Sequence, residues 1–354
     1  MAKITKLQAR KVENSNLKAN FDGEYEVFKK IKGQDFKILQ LTDMHFGRGF
    51  LSIKKDKLAH NAVVSLVERT KPDLIIITGN NVYPLPMFSG TINNLHQSKY
   101  VGNLMETFGI PWTFAFGNHD AEPMFCTHNK SQLAEYYESL DNCLFKKGDK
   151  NIFGVGNHII KLQNEDGKEN TILAMLDSNM YLKKSFFSSF DNIHDDQIDW
   201  LQENIKHISG NSKLVNSLAF FHMPLREYLE AWNKLKMGKT DEVTYHLGTI
   251  GEKNDHVGYS YYKDGTFFDR MLEFGSLVGC FCGHDHLNNI SMTYKGIRLT
   301  YGMAIDFLAY PGINKVYSNR GGTLITIDDN SNFDVNLVPL VSAVEQRSDN
   351  RFEL

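Results

Sequence analysis

The sequence predicts an α/β protein with largely buried sheets, and three observations carry that expectation. Short aliphatic runs recur along the 354 residues, and each closes on Gly, Asn, Asp or His. Stretches with helical spacing of apolar residues lie between several of them. No change of composition divides the chain, whose length suffices for one large core. Strands alternating with helices imply sheets covered by helices on their faces.

Taken in order, the runs are these. "FKILQLTDMHFG" alternates apolar residues and then turns polar at Asp43; "DKLAHNAVVSLVERT" places Leu58, Ala62, Val63 and Leu66 on one helical face. "PDLIIITGNN" and "WTFAFGNHD" are strands buried on both faces, each stopped by glycine. "TILAMLDSN" is a further strand, and "HDDQIDWLQENIKHI" opens with Asp195 and Asp196, which suit the positive end of a helix. "SLAFFHMPL" and "SLVGCFCGHDH" are two more strands. Two long connections, "VYPLPMFSGTINNLHQSKY" and the stretch from Arg226 to Gly265, read equally well as lids or as surface excursions.

Composition narrows the partners. Lys and Arg number 39 against 42 Asp and Glu, a net charge of -3, so no basic field favours extended nucleic acid. The first thirty residues hold no apolar stretch of signal-peptide length and no later segment reaches a membrane span; the expectation is a cytoplasmic protein with no membrane partner. Of four cysteines, Cys280 and Cys282 alternate within an apolar run, which reads as reduced thiols in a core, with a Cys-x-Cys metal site as the alternative.

The residues at the strand ends say more than the strands. They are Asp43 and His45, Asn80, Asn118 and His119, His222, then His284 and His286. In an extended terminus, residues i and i+2 share a face, so Asp43 with His45, and His284 with His286, can each offer a pair to one centre. Carboxylate oxygen, amide oxygen and imidazole nitrogen together suit Mn²⁺, Fe²⁺ or Zn²⁺ better than Ca²⁺. A single strand-end histidine is usually a satisfied core or surface residue. The ordered set is far more specific than any one member.

In the motifs "DMH" (43 to 45), "GNN" (79 to 81), "GNHD" (117 to 120), "FFHMP" around His222 and "GHDH" (283 to 286), the chain resembles the calcineurin-like metallophosphoesterase superfamily. "DDQIDWL" (195 to 201), "GYSYYKDGTFFDRMLEFGSLVGCFCGHDHLNNI" and the later "YG" and "RGG" look like the branch of purple-acid-phosphatase-29-like and Dcr2-like phosphatases. The resemblance implies a central β-sandwich of two mixed sheets flanked by helices, in four layers. It implies an extension, residues 1–34, packed on one domain, 35–342, with lid-like insertions near 84–98 and 226–265 and a tail, 343–354.

It also implies two divalent ions. Asp43, His45 and His286 would hold one, Asn118, His222 and His284 the other, and position 80 would bridge them. Two ions about 3.5–4 Å apart can share a hydroxide, acidify its parent water and stabilise an in-line displacement at phosphorus. His119 would stay off the metal and donate a proton to the leaving group. Asp120 is read as structural. No Gly-x-Ser-x-Gly elbow or Walker loop competes with this chemistry.

Asn80 departs from the resemblance, because the family's second motif is Gly-Asp and its carboxylate bridges both ions. An amide is neutral and has one ligating oxygen, so the exchange should weaken at least one ion site, widen the pair, or leave the bridging hydroxide poorly placed. A natural pseudoenzyme, an enzyme that tolerates an amide bridge, and an Asp→Asn variant that holds substrate without turning it over are the three readings. Reduced activity is the expectation. Tyr83 falls where purple acid phosphatases carry a tyrosinate, but their first motif is Asp-x-Gly; with His45 in the Asp-x-His slot, Tyr83 is read as a packing residue.

The expected substrate is a small phosphomonoester or phosphodiester, with a nucleotide or a phosphoprotein within range. Asn81 and Arg48 are candidates for substrate contact, Arg48 through its guanidinium fork; Arg320 is a weaker one. Tyr245, Tyr259, Tyr261 and Tyr262 can stack on a base but at such density more often pack a lid. The rival reading is a catalytically silent phosphate-ester binder, and a nuclease is disfavoured by the charge balance.

Overall fold

The computed structural model describes residues 6–12, 18–122, 124–181, 190–259, 266–309 and 319–340. Two mixed sheets form its centre. The smaller is built from β3 (Phe36–Leu41), β4 (Leu74–Thr78), β5 (Trp112–Ala115), β13 (Gly321–Ile327) and β14 (Phe333–Pro339), in the order β14-β13-β3-β4-β5. The larger has nine strands: β1 (Asn20–Phe21), β2 (Glu26–Lys29), β6 (His158–Gln163), β7 (Glu169–Met175), β8 (Asn216–Phe220), β9 (Val243–Leu247), β10 (Leu277–Cys282), β11 (Ser291–Tyr294) and β12 (Ile297–Tyr301). Their order is β1-β2-β6-β7-β8-β10-β12-β11-β9.

Period-two alternation splits each strand between two cores. Ile38, Leu74 and Ile76 of the smaller sheet meet Leu173, Met175, Phe220 and Phe281 of the larger, filling the sandwich. On the other face of the smaller sheet, Leu39, Leu41, Ile75 and Ile77 pack against α1 (Ile53–Thr70), α3 (Asn94–Phe108) and α4 (Lys130–Tyr137). On the outer face of the larger, Ile172, Ala174, Cys280 and Cys282 pack against α5 (Asp195–Ser209), α6 (Arg226–Lys236) and α7 (Thr266–Phe274). The result is the expected four-layer α/β sandwich. Truncating Ile76, fully buried between the sheets, to alanine should cost about 2–5 kcal/mol. Both cysteines of the Cys-x-Cys pair are free thiols in the outer core.

The two long connections are more structured than their polar sequences suggest. The first holds the short helix α2 (Pro86–Ser89) and the start of α3, whose first turn is capped by Asn93 accepting from His96 N–H. The second begins with α6, which buries Tyr228 and Ala231, and continues into β9, an edge strand paired with β11; residues 260–265 lie outside the described residues, and with them Tyr261 and Tyr262. Within residues 1–34, β1 and β2 are strands of the larger sheet, β2 running parallel to β6. The tail 343–354 also lies outside the described residues. No described helix is long and apolar enough to cross a membrane.

Candidate metal centre

β3, β4 and β5 run parallel in one sheet, and β7, β8, β10 and β12 in the other. The loops after β3, β4, β5, β8 and β10 carry the strand-end motifs and meet beyond the carboxyl ends, where α/β sheets place ligands. Backbone hydrogen bonds tie them: Asp43 N–H to the Gly79 carbonyl at 3.1 Å, His45 N–H to that of Asn80 at 3.0 Å, and Gly283 N–H to that of His222 at 3.1 Å. Asp43, His45, Asn80 and His284 sit in the left-handed region, with φ of 50°, 47°, 54° and 77°. Such a backbone costs a non-glycine residue roughly 1–3 kcal/mol, which the surrounding structure must offset.

Asp43, His45 and His286 converge, with one ligand atom from each within 4.8 Å of the others. Sequence reading missed what holds them. Asp306, in the loop after β12, sets Oδ1 3.3 Å from Nδ1 of His45 and Oδ2 3.0 Å from Nδ1 of His286, off the straight line of a hydrogen bond but close enough for its charge to act on both rings. That charge favours a proton on Nδ1 of each ring and leaves Nε2 as the atom on the side of Asp43, 3.6 Å from Oδ1 in His286. The Leu308 and Ala309 amides donate to Asp306 Oδ1, and Arg320 Nε donates to its carbonyl at 2.6 Å. Nε2 of His45 is buried and meets no hydrogen-bond partner among the described residues. A buried nitrogen in that state is costly unless an electrophile meets it, so the donor set fits a divalent ion.

The second group is built differently. His222 Nδ1 donates to the Thr78 carbonyl at 2.8 Å, so its Nε2 carries a lone pair, and that lone pair faces Asn118 Oδ1 at 2.9 Å. Asn118 Nδ2 donates to the Tyr181 hydroxyl, which fixes Oδ1 as the inward atom. Burial pushes His222 down to about 3 and His284 to about 4, so both rings stay neutral. Two acceptors facing each other at such a distance repel unless a cation joins them. This frame too has the shape of an ion site.

Asn80 stands between the groups and is fully buried. Its Oδ1 accepts from the His119 amide at 3.0 Å, and its Nδ2 donates to Asp43 Oδ1 at 3.0 Å and to Asn118 Oδ1 at 3.3 Å. The inward atom of the bridging position is therefore an amide nitrogen. Asp120 clamps the same loop, accepting from the amides of Asn80, Val82 and Gly117, as its structural reading anticipated; burial raises its carboxyl to about 6.

His119 is partly exposed and has Nδ1 2.9 Å from Glu122 Oε2, a partner sequence reading also missed, although it lies only three residues on. Tyr83 donates its hydroxyl to the Ala309 carbonyl at 2.8 Å and sets its ring edge-on to His45 and His119, a wall of the site. Asn81 is buried and turns Nδ2 toward Asp120. Arg48 goes elsewhere: its backbone φ of 50° turns the chain, and its guanidinium lies over the Tyr100 ring at 4.0 Å, in the company of Lys6 and His60. Arg320 is buried behind Asp306, with its guanidinium over the Phe307 ring at 4.3 Å.

A four-layer sandwich that gathers imidazole, amide and carboxylate side chains on five strand-end loops is the arrangement of metal-dependent phosphoesterases. The calcineurin-like phosphoesterase profile matches residues 36–288, and the chain belongs to that family. It is 28% identical over 314 residues to "Probable inactive purple acid phosphatase 28" of Arabidopsis thaliana, covering 78% of this chain and 71% of the relative. To "Phosphatase DCR2" of Saccharomyces cerevisiae it is 29% identical over 292 residues, 75% of this chain and 47% of the relative. These relatives match the branch read from the motifs. Among solved structures, a dimetal phosphatase from Danio rerio superposes with a TM-score of 0.51 at 10% identity, covering 86% of this chain and 96% of that one, a likeness of fold.

Proposed function

We propose that the chain carries the metal centre of a phosphoric ester hydrolase, with turnover held down by Asn80, in a single domain spanning 35–342. The observation that carries this reading is the convergence of Asp43, His45 and His286 on one point, with Asp306 set behind both rings. Asp43, His45 and His286 hold one divalent ion, Mn, Fe or Zn; Asn118, His222 and His284 frame the position for a second, and Asn80 lies between. Such ions, when bound, acidify water and neutralise the charge of a phosphoryl group. His119, oriented by Glu122, presents Nε2 to the ester oxygen and gives it a proton as the bond to phosphorus breaks. The substrate is a small phosphomonoester or phosphodiester, nucleotides included, or a phosphoprotein, met in the cytoplasm.

A second reading, a silent binder of phosphate esters, draws on the inward amide nitrogen of Asn80 and on the word "inactive" in the printed name of the Arabidopsis relative. Hydrolysis of p-nitrophenyl phosphate and bis(p-nitrophenyl) phosphate with added Mn²⁺, by the chain and by Asn80→Asp in parallel, separates the two. The hydrolase reading expects the Asp form to be faster by on the order of 100-fold or more, as befits a restored bridging charge. Equal and negligible rates would leave the binder.

A further inference from the structure

Resting on the reading above, the geometry points to the ion that Asn80 removes. We infer that this chain is a one-ion protein: it holds a divalent ion at Asp43, His45 and His286 and leaves the Asn118, His222 and His284 frame without one at ion concentrations that saturate the first.

Charge is the first argument. A divalent cation leaving water for a buried site needs anionic ligands, because neutral donors replace its hydration without offsetting its charge. The first group has the Asp43 carboxylate, fully buried, with the Asp306 carboxylate behind both rings. The second has an amide and two imidazoles, and the one carboxylate beside it, Asp285 next to His284, already accepts from the Gly258 amide and the Tyr301 hydroxyl. Its one anionic ligand would be a carboxylate at position 80, and that position is an amide.

Orientation is the second. The His119 N–H reserves Asn80 Oδ1, so the NH₂ group faces the centre, where a nitrogen without a lone pair to give cannot ligate. Turning the amide over would set NH₂ against the His119 N–H, two donors face to face. Three hydrogen bonds hold the side chain as it stands, and it packs close on Gly117, where a Cβ would lie 2.3 Å from Asn80 Oδ1. The NH₂ group, donating to Asp43 Oδ1 and Asn118 Oδ1 together, already links the two groups that a shared cation ligand would otherwise link.

The third is what survives. His222 Nε2 and Asn118 Oδ1 still face each other as acceptors, held by Thr78 and Tyr181. The second frame lacks charge and keeps its shape, so one substitution should reopen it. An aspartate at 80 retains the acceptor for the His119 amide and turns an oxygen inward.

The test is ion stoichiometry on the full chain. The protein and Asn80→Asp are equilibrated with excess Mn²⁺, desalted, and assayed by mass spectrometry of the metal, with electron paramagnetic resonance to distinguish isolated from exchange-coupled Mn²⁺. About one ion per chain with an isolated-ion spectrum, rising to about two and a coupled spectrum in Asn80→Asp, is the expected result. His284→Ala in the unaltered background should keep about one ion, whereas Asp43→Asn should keep about none. Two ions in the unaltered chain would overturn the inference and leave the hydrolase reading standing. One ion in both forms would overturn the role given to position 80. No ion in either would overturn inference and hydrolase reading alike. Thermal melts of each variant show that any loss of ion belongs to a folded protein.

Discussion

His286, in the group around Asp43, and His222, in the other group, are the same kind of side chain and hold a proton in opposite ways. Burial pulls His286 down, but the carboxylates of Asp306 and Asp43 outweigh it and lift the ring to about 9. His222, fully buried where His286 keeps a tenth of its side chain exposed, is pushed down to about 3, because only Asp43 among its charged neighbours opposes the loss of water. Residue type therefore does not define what a ligand position can bind. The balance of burial and nearby carboxylates does: His45, beside the same Asp306 but fully buried, is lowered, and His284 is lowered although Asp285 stands beside it.

That comparison can be broken in three places. The largest effect is expected at His119, which serves both groups: His119→Ala in the Asn80→Asp background should lower hydrolysis by about 100- to 10,000-fold, with ion content unchanged. A smaller loss, or a loss that tracks ion content, would move His119 out of the proton-donor role. Next comes Asp306→Asn, which leaves the shape of the first group and removes the charge behind it. Ion affinity measured by calorimetry should fall by about 10- to 100-fold, the range typical of a carboxylate lost from behind a histidine ligand. An unchanged affinity would mean that Asp43 alone supplies the asymmetry.

The smallest effect sharpens the comparison through pH. The raised His286 contributes stability to the ion-free protein that is complete below the ordinary value of 6.5 and fades as pH rises through about 9. His222 and His284, with depressed values, act on the other side: the folded state loses stability as pH falls from 6.5 toward about 4 and 3. An ion competes with the His286 proton, so the rise in melting temperature caused by Mn²⁺ should grow between pH 6.5 and 9. A rise that is flat with pH would show that His286 holds no extra proton.

Much of this was legible in the sequence, for physical reasons. β3, β4, β5, β8 and β10 are buried on both faces, so each appears as an apolar run that ends abruptly in the residues of the site. α6 and β9 were hidden because one is amphipathic and rich in Lys and Glu, and the other is an edge strand with three consecutive exposed residues. The ligand candidates were legible because each lies beside its strand. Asp306 was not, since it lies 20 residues beyond His286 in a loop whose place beside His45 depends on the pairing of β10 with β12. The place of Arg48 over the Tyr100 ring was not legible either, since Tyr100 lies 52 residues away in α3.

One carboxylate serving two rings has a kinetic consequence. His45 and His286 cannot rotate independently while Asp306 sits beside both, and Asp306 is itself anchored through Leu308, Ala309 and Arg320. At the proposed site, release of an ion would then couple to the loop at Asp306, Leu308 and Ala309, and its residence time would depend on a loop that never touches it.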